Sequence, residues 1–425
     1  EAGAGVFEGT EQAEANKAHA EAKLREEAQL LQEFEDFKPL ASVKELAEGV
    51  QYTESMETSF VPPRHIENMS REEADRIRSQ FHIVASGEDL PNPVLRFVDL
   101  KLPRAIVNCL HEQGIMRPTP IQMQGLPALL AGRDVLGVAF TGSGKTLVFT
   151  LPMIMMCLDG ELRLPLQDGE GPLGLIMAPS RELANQIHGV AEKFANALAR
   201  DGYPRLKCTL LIGGRNSNEQ LREMRGGVHV VVATPGRLVD LLSRHKMHLE
   251  QCRYMALDEA DRMLDMGFEE EMRNVMSFFK SQRQTVLFSA TMPPKIQAFA
   301  MSALVRPVDV NVGRAGAANL DVVQEVEYVQ PEARIMYVLE ALQKTPPPVL
   351  VFAENKGDVD DLHEYLLLKG VEAVAVHGSK DQAEREAAIT QFKTGEKDVL
   401  VATDVAARGL DIPLVDLVVN YDVPG

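Results

Sequence analysis

The 425-residue chain has no tryptophan, only four cysteines and 5% aromatic residues. Cys109, Cys157, Cys208 and Cys252 lie more than forty residues apart from one to the next. That scatter fits neither the ligand spacing of a zinc site nor a disulfide framework, and reads as single thiols in a reducing compartment. Long hydrophobic runs are missing too. None reaches the roughly 18 residues of a membrane span, so no segment is placed in a bilayer. No basic-then-apolar leader is visible, and because the sequence begins at Glu1, any preceding segment stays open. Positive charge is also scarce: 44 Lys and Arg stand against 62 Asp and Glu, a net charge of -18. Such a balance argues against tight nonspecific binding of nucleic acid without excluding it. The deficit is uneven. Residues 1–90 hold 20 acidic and 9 basic side chains, the other 335 residues 42 and 35. Local basic patches can therefore form on a mildly acidic body.

Hydrophobic residues at 45% and charged residues at 25% give the balance of a globular protein, and the length predicts two to three domains. Residues 10–37 are rich in Ala, Glu, Lys, Leu and Gln and have neither Gly nor Pro. They predict a helix, solvated or partner-bound because its apolar positions are few. Residues 38–92 show scattered Pro and little periodicity, apart from a helical stretch starting at Ser70 with Glu72 and Glu73 in its first turn. Residues 1–90 thus read as an acidic extension, helical and partly disordered. Its composition suits partner binding and disorder equally.

From residue 91 short apolar strands alternate with amphipathic helices, the pattern of an α/β fold whose parallel sheet is covered on both faces. Strands are expected at 134–140, 173–178, 208–212, 229–233, 254–257 and 285–289, with helices at 121–130 and 181–199. Gly, Ala and Asn dominate a connector at 312–321. A second series has strands near 348–353, 373–377, 399–403 and 417–421. Two α/β lobes, 91–311 and 322–425, follow, the second incomplete where the sequence breaks off at Gly425.

Two segments carry chemistry by themselves. Ala139-Phe-Thr-Gly-Ser-Gly-Lys-Thr146 follows an apolar strand and precedes a helical run. The backbone of Thr141, Gly142, Ser143 and Gly144 can wrap phosphates, Lys145 can reach the outer ones, and the Thr146 hydroxyl can hold Mg²⁺. The strict pattern has Gly where this chain has Ala139, and a Gly-rich turn of no special role is the plain alternative. Asp258-Glu-Ala-Asp261 follows another apolar strand. There Asp258 could hold Mg²⁺, largely through water, and Glu259 could orient and deprotonate an attacking water. In isolation such an acidic tetrapeptide is usually solvated surface.

With Ser289-Ala-Thr291 after them, these segments resemble those of the DEAD-box RNA helicases of superfamily 2. Gly114-Ile-Met-Arg-Pro-Thr-Pro-Ile-Gln122 is similar to the family's adenine-reading Q motif, with Phe97 at the upstream aromatic position. The resemblance implies a nucleotide site that includes Phe97, Ile115, Arg117 and Gln122. Gln122 would bind the adenine edge through two hydrogen bonds, Phe97 would buttress the motif, and Ile115 would give apolar contact where many members have an aromatic. Pro179-Ser-Arg181-Glu182-Leu-Ala184, Gly213-Gly214 and Thr234-Pro235-Gly236-Arg237 resemble RNA-backbone motifs. Arg181 and Arg237 supply charge, while the glycines and Thr234 bring donors close to phosphate. In the second lobe, residues 349–355, His377-Gly378 with Gln382 and Arg385, and the run from Thr403 through Asp404 to Asp411 resemble the remaining motifs. They imply RNA contacts at Gly378, Arg385 and Thr403, and a ribose contact at Asp411. Coupling of nucleotide to RNA would run through Asp261, Ser289, Thr291 and Asp404. Helix capping is the plain alternative for Asp404 and Asp411.

The family's next motif, which carries the arginine fingers, falls a dozen or so residues beyond 421–424 and so past Gly425. A polypeptide ending at Gly425 is expected to bind nucleotide and hydrolyse it poorly. Within the family the likeness is strongest to the Abstrakt-like subgroup, through residues 69–103, 132–151, 257–268, 311–328 and 345–378. That subgroup's short C-terminal zinc knuckle is not in this sequence, and its association with nuclear pre-mRNA splicing is inherited by likeness alone.

The resemblance implies two RecA-like lobes that close around ATP and Mg²⁺ and grip single-stranded RNA with little base reading. Short duplexes would be separated locally or ribonucleoproteins remodelled, and hydrolysis would release the RNA. The alternative is an ATP-gated clamp or assembly subunit of a ribonucleoprotein, docked through the acidic extension; a DNA helicase is a third reading. The expected location is nuclear, with room for a cytoplasmic pool beside it. Expected partners are RNA and ribonucleoprotein or spliceosomal proteins, with no membrane.

Overall fold

The computed structural model of the chain describes residues 54–140, 142–214, 217–313, 322–403, 412 and 415–422. The helix expected over 10–37, residues 314–321 of the expected connector, and Thr141, Asp404 and Asp411 lie outside them. The chain divides into two compact units after Ala317.

The first unit is built on eight strands: β1 (Ile83–Ser86), β2 (Val135–Ala139), β3 (Gly174–Met177), β4 (Cys208–Leu211), β5 (Val230–Ala233), β6 (Tyr254–Leu257), β7 (Gln284–Ser289) and β8 (Val308–Val312). Their order is β1-β8-β2-β7-β6-β3-β5-β4. Only the β1–β8 pair is antiparallel. Helices Pro120–Leu130, Lys145–Arg163 and Arg181–Arg200 pack on one face around Phe149, Phe194 and Phe288. Helices Pro235–Ser243, Glu269–Ser277 and Pro294–Ala303 bury Met255, Leu257, Phe279 and Phe299 on the other. Burial on both faces explains why β2 to β7 read as mostly apolar runs.

The second unit holds β9 (Val349–Ala353), β10 (Ala373–Val376), β11 (Val399–Thr403) and β12 (Leu417–Asn420), ordered β10-β11-β9-β12 and all parallel. Val338, Val359, Leu362 and Leu366 cover one face, and Ala388, Ile389 and Phe392 cover the other. Both units therefore have the RecA-like arrangement expected. Each of the ten expected strands forms within one residue of its expected ends.

The expected boundary at residue 90 needs correction. β1 extends the sheet by pairing Ile83 with Val312 and Ser86 with Asp309, and Ile66 and Ile83 lie in the core. Residues 54–90 therefore belong to the first unit, and β8 takes in Val312, the first residue of the expected connector. The helix expected from Ser70 spans Arg71–Gln80, with the Ser70 hydroxyl accepting the Glu73 N–H at 3.2 Å.

This added segment locks the end of the sheet at which β2, β7 and β8 begin. Arg133 donates to the carbonyls of Glu88 (2.7 Å) and Arg306 (2.9 Å). Arg306 in turn pairs with Glu88 (2.7 Å) and Glu54 (3.2 Å). Beneath them Asp134 is buried, accepting the N–H groups of Thr285 (2.8 Å) and Val305 (2.7 Å). The four cysteines are free thiols, as expected, Cys157 and Cys252 buried. Among the described residues no helix is long and apolar enough to cross a membrane.

Candidate functional site

Strand order decides which motifs meet. β2, β7 and β6 are neighbours, so residues 139–146, 289–291 and 258–261 leave the sheet side by side at the carboxyl ends of parallel strands. That is where open α/β sheets place their ligands.

After β2 the chain turns through Gly142 (φ 80°) and Gly144 (φ 89°), left-handed backbone that favours glycine, and enters helix Lys145–Arg163. Its N-terminal N–H groups face the turn, the arrangement that holds phosphate. Lys145 is buried and donates to the Ala139 carbonyl at 2.9 Å, while the Ser143 hydroxyl donates to Phe140 O at 2.8 Å. Thr146 is half-buried beside it.

Gln122 sits next to this loop. Its Nε2 donates to Gly144 O (2.9 Å) and its Oε1 accepts the Thr119 N–H (3.1 Å). A Cβ on Gly144 would come within 2.4 Å of that Nε2. The carboxamide keeps one N–H and one acceptor lone pair, the complement of an adenine edge. Phe97 is buried in the core, Ile115 half-buried, and Arg117 exposed.

Beyond β6, Asp258 is buried, and among the described residues only its Oδ1 takes a hydrogen bond, from the Glu259 N–H at 3.0 Å. Burial pushes its carboxyl up to about 6, against the pull of Lys145 and with the push of Glu259 and Asp261. A buried carboxyl with an open oxygen, beside a lysine and a phosphate-type loop, fits a divalent cation: the cation's charge would offset the burial that favours the proton. Glu259 stands at φ 52° at the start of helix Ala260–Asp265, its carboxylate 2.7 Å from Arg262 Nη1. Asp261 Oδ2 accepts the Ala290 N–H (3.2 Å), the Thr291 N–H (3.0 Å) and the Thr291 hydroxyl (2.9 Å). The expected tie between tetrapeptide and 289–291 thus runs through Thr291 and Asp261. Ser289 differs from expectation: its hydroxyl donates to Thr291 O at 2.6 Å and shapes that turn.

A second set of neighbours, β3, β5 and β4, brings Pro179-Ser-Arg-Glu182, Thr234-Pro-Gly-Arg237 and Gly213-Gly214 together. The Arg181 guanidinium lies against both glycines. A Cβ would meet it at 3.3 Å from Gly213 and at 2.8 Å from Gly214, whose φ is 83°. Gly214 and Gly236 are exposed, Pro179 and Pro235 buried, and Glu182 and Thr234 half-buried. Arg237 is turned inward, with Nη1 2.9 Å from Asp240 and Nε 3.4 Å from the Gln220 Oε1. Gln220, itself bonded to Ile212 O at 3.1 Å, was not foreseen. Nor was Arg262, although its spacing of three from Glu259 was a readable signal.

In the second unit β10, β11 and β9 are neighbours. Gly378 is exposed after β10, Thr403 is buried at the end of β11, and Arg385 is half-buried on helix Gln382–Lys393. His377 bonds Asp360 through Nε2 at 3.0 Å.

Comparison with known proteins agrees with this geometry. The family pattern described as DEAD/DEAH box helicase matches residues 119–299, and that described as helicase conserved C-terminal domain matches 333–425. The chain is 61% identical to DEAD-box ATP-dependent RNA helicase 35 of Arabidopsis thaliana over 94% of its own length and 68% of that protein's. It is 55% identical to the ATP-dependent RNA helicase abstrakt of Drosophila melanogaster, covering 97% of this chain and 67% of that one. Among solved structures, the yeast DEAD-box splicing factor Prp28 matches at TM-score 0.56 and 33% identity, over 84% of this chain and 82% of its own.

Proposed function

The chain belongs to the DEAD-box family of ATP-dependent RNA helicases, and on that premise we propose that it works as an ATP-gated grip on RNA in nuclear pre-mRNA splicing. The observation that carries the nucleotide side is the meeting of the β2, β6 and β7 exits. There Gln122 would give its remaining donor and acceptor to the adenine edge. Lys145 would exchange the Ala139 carbonyl for the outer phosphates, and Thr141 and Asp411 would complete the contacts. Asp258 and Thr146 would hold Mg²⁺, which neutralises phosphate charge when bound. Glu259 would orient and deprotonate the attacking water.

On the RNA side Arg181, Gly213, Gly214, Thr234 and Gly236 would face the phosphates of one strand, with Gly378, Arg385 and Thr403 contributing from the second lobe. Contacts of this kind read shape and 2′-hydroxyls more than bases. With ATP bound the two lobes would close on a bent strand that a duplex cannot match, and hydrolysis would let go. Asp261 and Thr291 would report one event to the other, with Asp404 doing so from the second lobe. Support for splicing comes from likeness to abstrakt and to Prp28, which is described as a splicing factor. Residues 1–53, the more acidic part of the chain, would dock it to a ribonucleoprotein.

The test is ATP hydrolysis by the full-length protein with and without single-stranded RNA, beside Glu259→Gln. RNA should stimulate the rate, and the variant should lose about 10²-fold or more of it. Equal rates with and without RNA would overturn the reading. Stimulated hydrolysis with RNA retention and no separation of a short RNA duplex would instead favour a clamp or assembly subunit.

A further inference from the structure

Glu259 is a poor place to leave a carboxylate unsupported. Its backbone is left-handed at φ 52°, its side chain has three free torsions, and it is buried. The N–H groups of Arg262 (3.0 Å, shared with Asp261 Oδ1) and Met263 (3.1 Å) donate to its own carbonyl and start the helix. Among the described residues its carboxylate has one partner, the Arg262 guanidinium, 2.7 Å from Oε2. The other oxygen, Oε1, is left for a proton.

We propose that Arg262 is the positioning residue that aims Glu259 at the attacking water. The proposal rests on Glu259 being the group that deprotonates that water. Arg262 suits the task for three reasons. Its side chain is only 23% exposed and that of Glu259 10%, so solvent screens the pair weakly and water competes little for the carboxylate. A guanidinium is a planar fork that fixes the direction of a carboxylate, which a point charge does not. It also sits at a junction. The Arg262 N–H donates to Asp261 Oδ1 at 3.0 Å, and Asp261 Oδ2 gathers the three donors of Ala290 and Thr291. A shift of 289–291 therefore pulls on the peptide that carries the arginine, and through it on Glu259. The guanidinium is also the one cation in the run 258–265, which holds Asp258, Glu259, Asp261 and Asp265.

Misplacing a reacting group by an ångström costs up to about 10²-fold in rate and little in substrate binding. The test is single-turnover ATP hydrolysis by the full-length protein on saturating single-stranded RNA, with binding of a fluorescent ATP analogue measured alongside. Arg262→Gln should slow hydrolysis about 10- to 100-fold while the analogue binds as in the wild type. Arg262→Lys, which keeps the charge and loses the fork, should recover part of the rate. In a Glu259→Gln background, adding Arg262→Gln should cost nothing more, because it acts through the group already removed. The proposal is overturned if Arg262→Gln hydrolyses at the wild-type rate or loses analogue binding, or if it slows Glu259→Gln by the same factor as the wild type. Normal hydrolysis by Glu259→Gln would instead overturn the underlying reading, whatever Arg262 does.

Discussion

The first sheet carries a buried aspartate at each end, and their surroundings differ. Asp134, just before β2, has both oxygens filled by backbone N–H groups, from Thr285 and Val305, with Arg133 and Arg283 close enough to pull its carboxyl down against burial. Asp258, just after β6, has one oxygen filled by its neighbour's N–H and the other open among the described residues, with Lys145 nearby. The same residue type at similar depth closes a structure in one place and leaves a valence for a ligand in the other. Satisfaction of the hydrogen bonds, more than burial or charge, separates scaffold from site here.

The contrast can be broken by substitution. Asp258→Asn should show the largest effect, a loss of about 10³-fold in RNA-stimulated hydrolysis. Its unfolding temperature should stay the same or rise, since a buried charge leaves without orphaning a donor. Asp134→Ala should do the reverse. Two buried N–H groups lose their acceptor, at about 1–3 kcal/mol each, while hydrolysis per folded molecule stays within about twofold, as expected for a site across the sheet. Thermal melts and ATPase assays on both variants settle it, and equal loss of stability in the two would erase the distinction. Gly144→Ala comes next. At φ 89°, with its Cβ 2.4 Å from the Gln122 Nε2, it should raise the KM for ATP about tenfold by displacing the carboxamide. An unchanged KM would detach Gln122 from nucleotide binding.

Sequence disclosed the two ends unequally. Nine of the ten expected strands are largely buried on both faces and announce themselves as apolar runs; β12 turns Val418 and Asn420 outward and still reads as Leu-Val-Val. The loops after β2 and β6 have compositions that few other chemistries need. β1 does not. It is four residues long, with Val84 67% exposed, and its partner β8 lies 223 residues away, between Ser86 and Asp309. The alternation of β8, Val-Asp-Val-Asn-Val, is a strand signal that no expected strand takes in, and only its last residue falls in the expected connector. The lock around Asp134 is built from backbone carbonyls of Glu88, Asp89 and Arg306, which no side-chain pattern encodes. At the site, the resting partners were hidden for the same reason: Lys145 on Ala139 O, Gln122 on Gly144 O and Ser289 on Thr291 O all rest on main-chain oxygen.

The effect spread over the widest pH range is the most discriminating. Burial pushes the Asp134 carboxyl up to about 7, although two N–H groups and two arginines pull it down. In the unfolded chain the same group titrates near 4. Between these values the folded state holds a proton that the unfolded state has released, so this group's contribution to stability falls as pH rises from about 4 to 7 and is constant above. The slope cannot exceed about 1.4 kcal/mol per pH unit. Asp134→Asn keeps the shape and removes the titration. The difference in urea-unfolding free energy between wild type and Asp134→Asn should therefore shrink as pH rises through that window, with the other groups cancelling. A difference that holds level from pH 5 to 8 would mean that the anion persists in the fold, its two N–H donors and two arginines outweighing burial. Asp134 would then be the fully paired charge of the sheet, and its contrast with the open carboxyl of Asp258 would be sharper still.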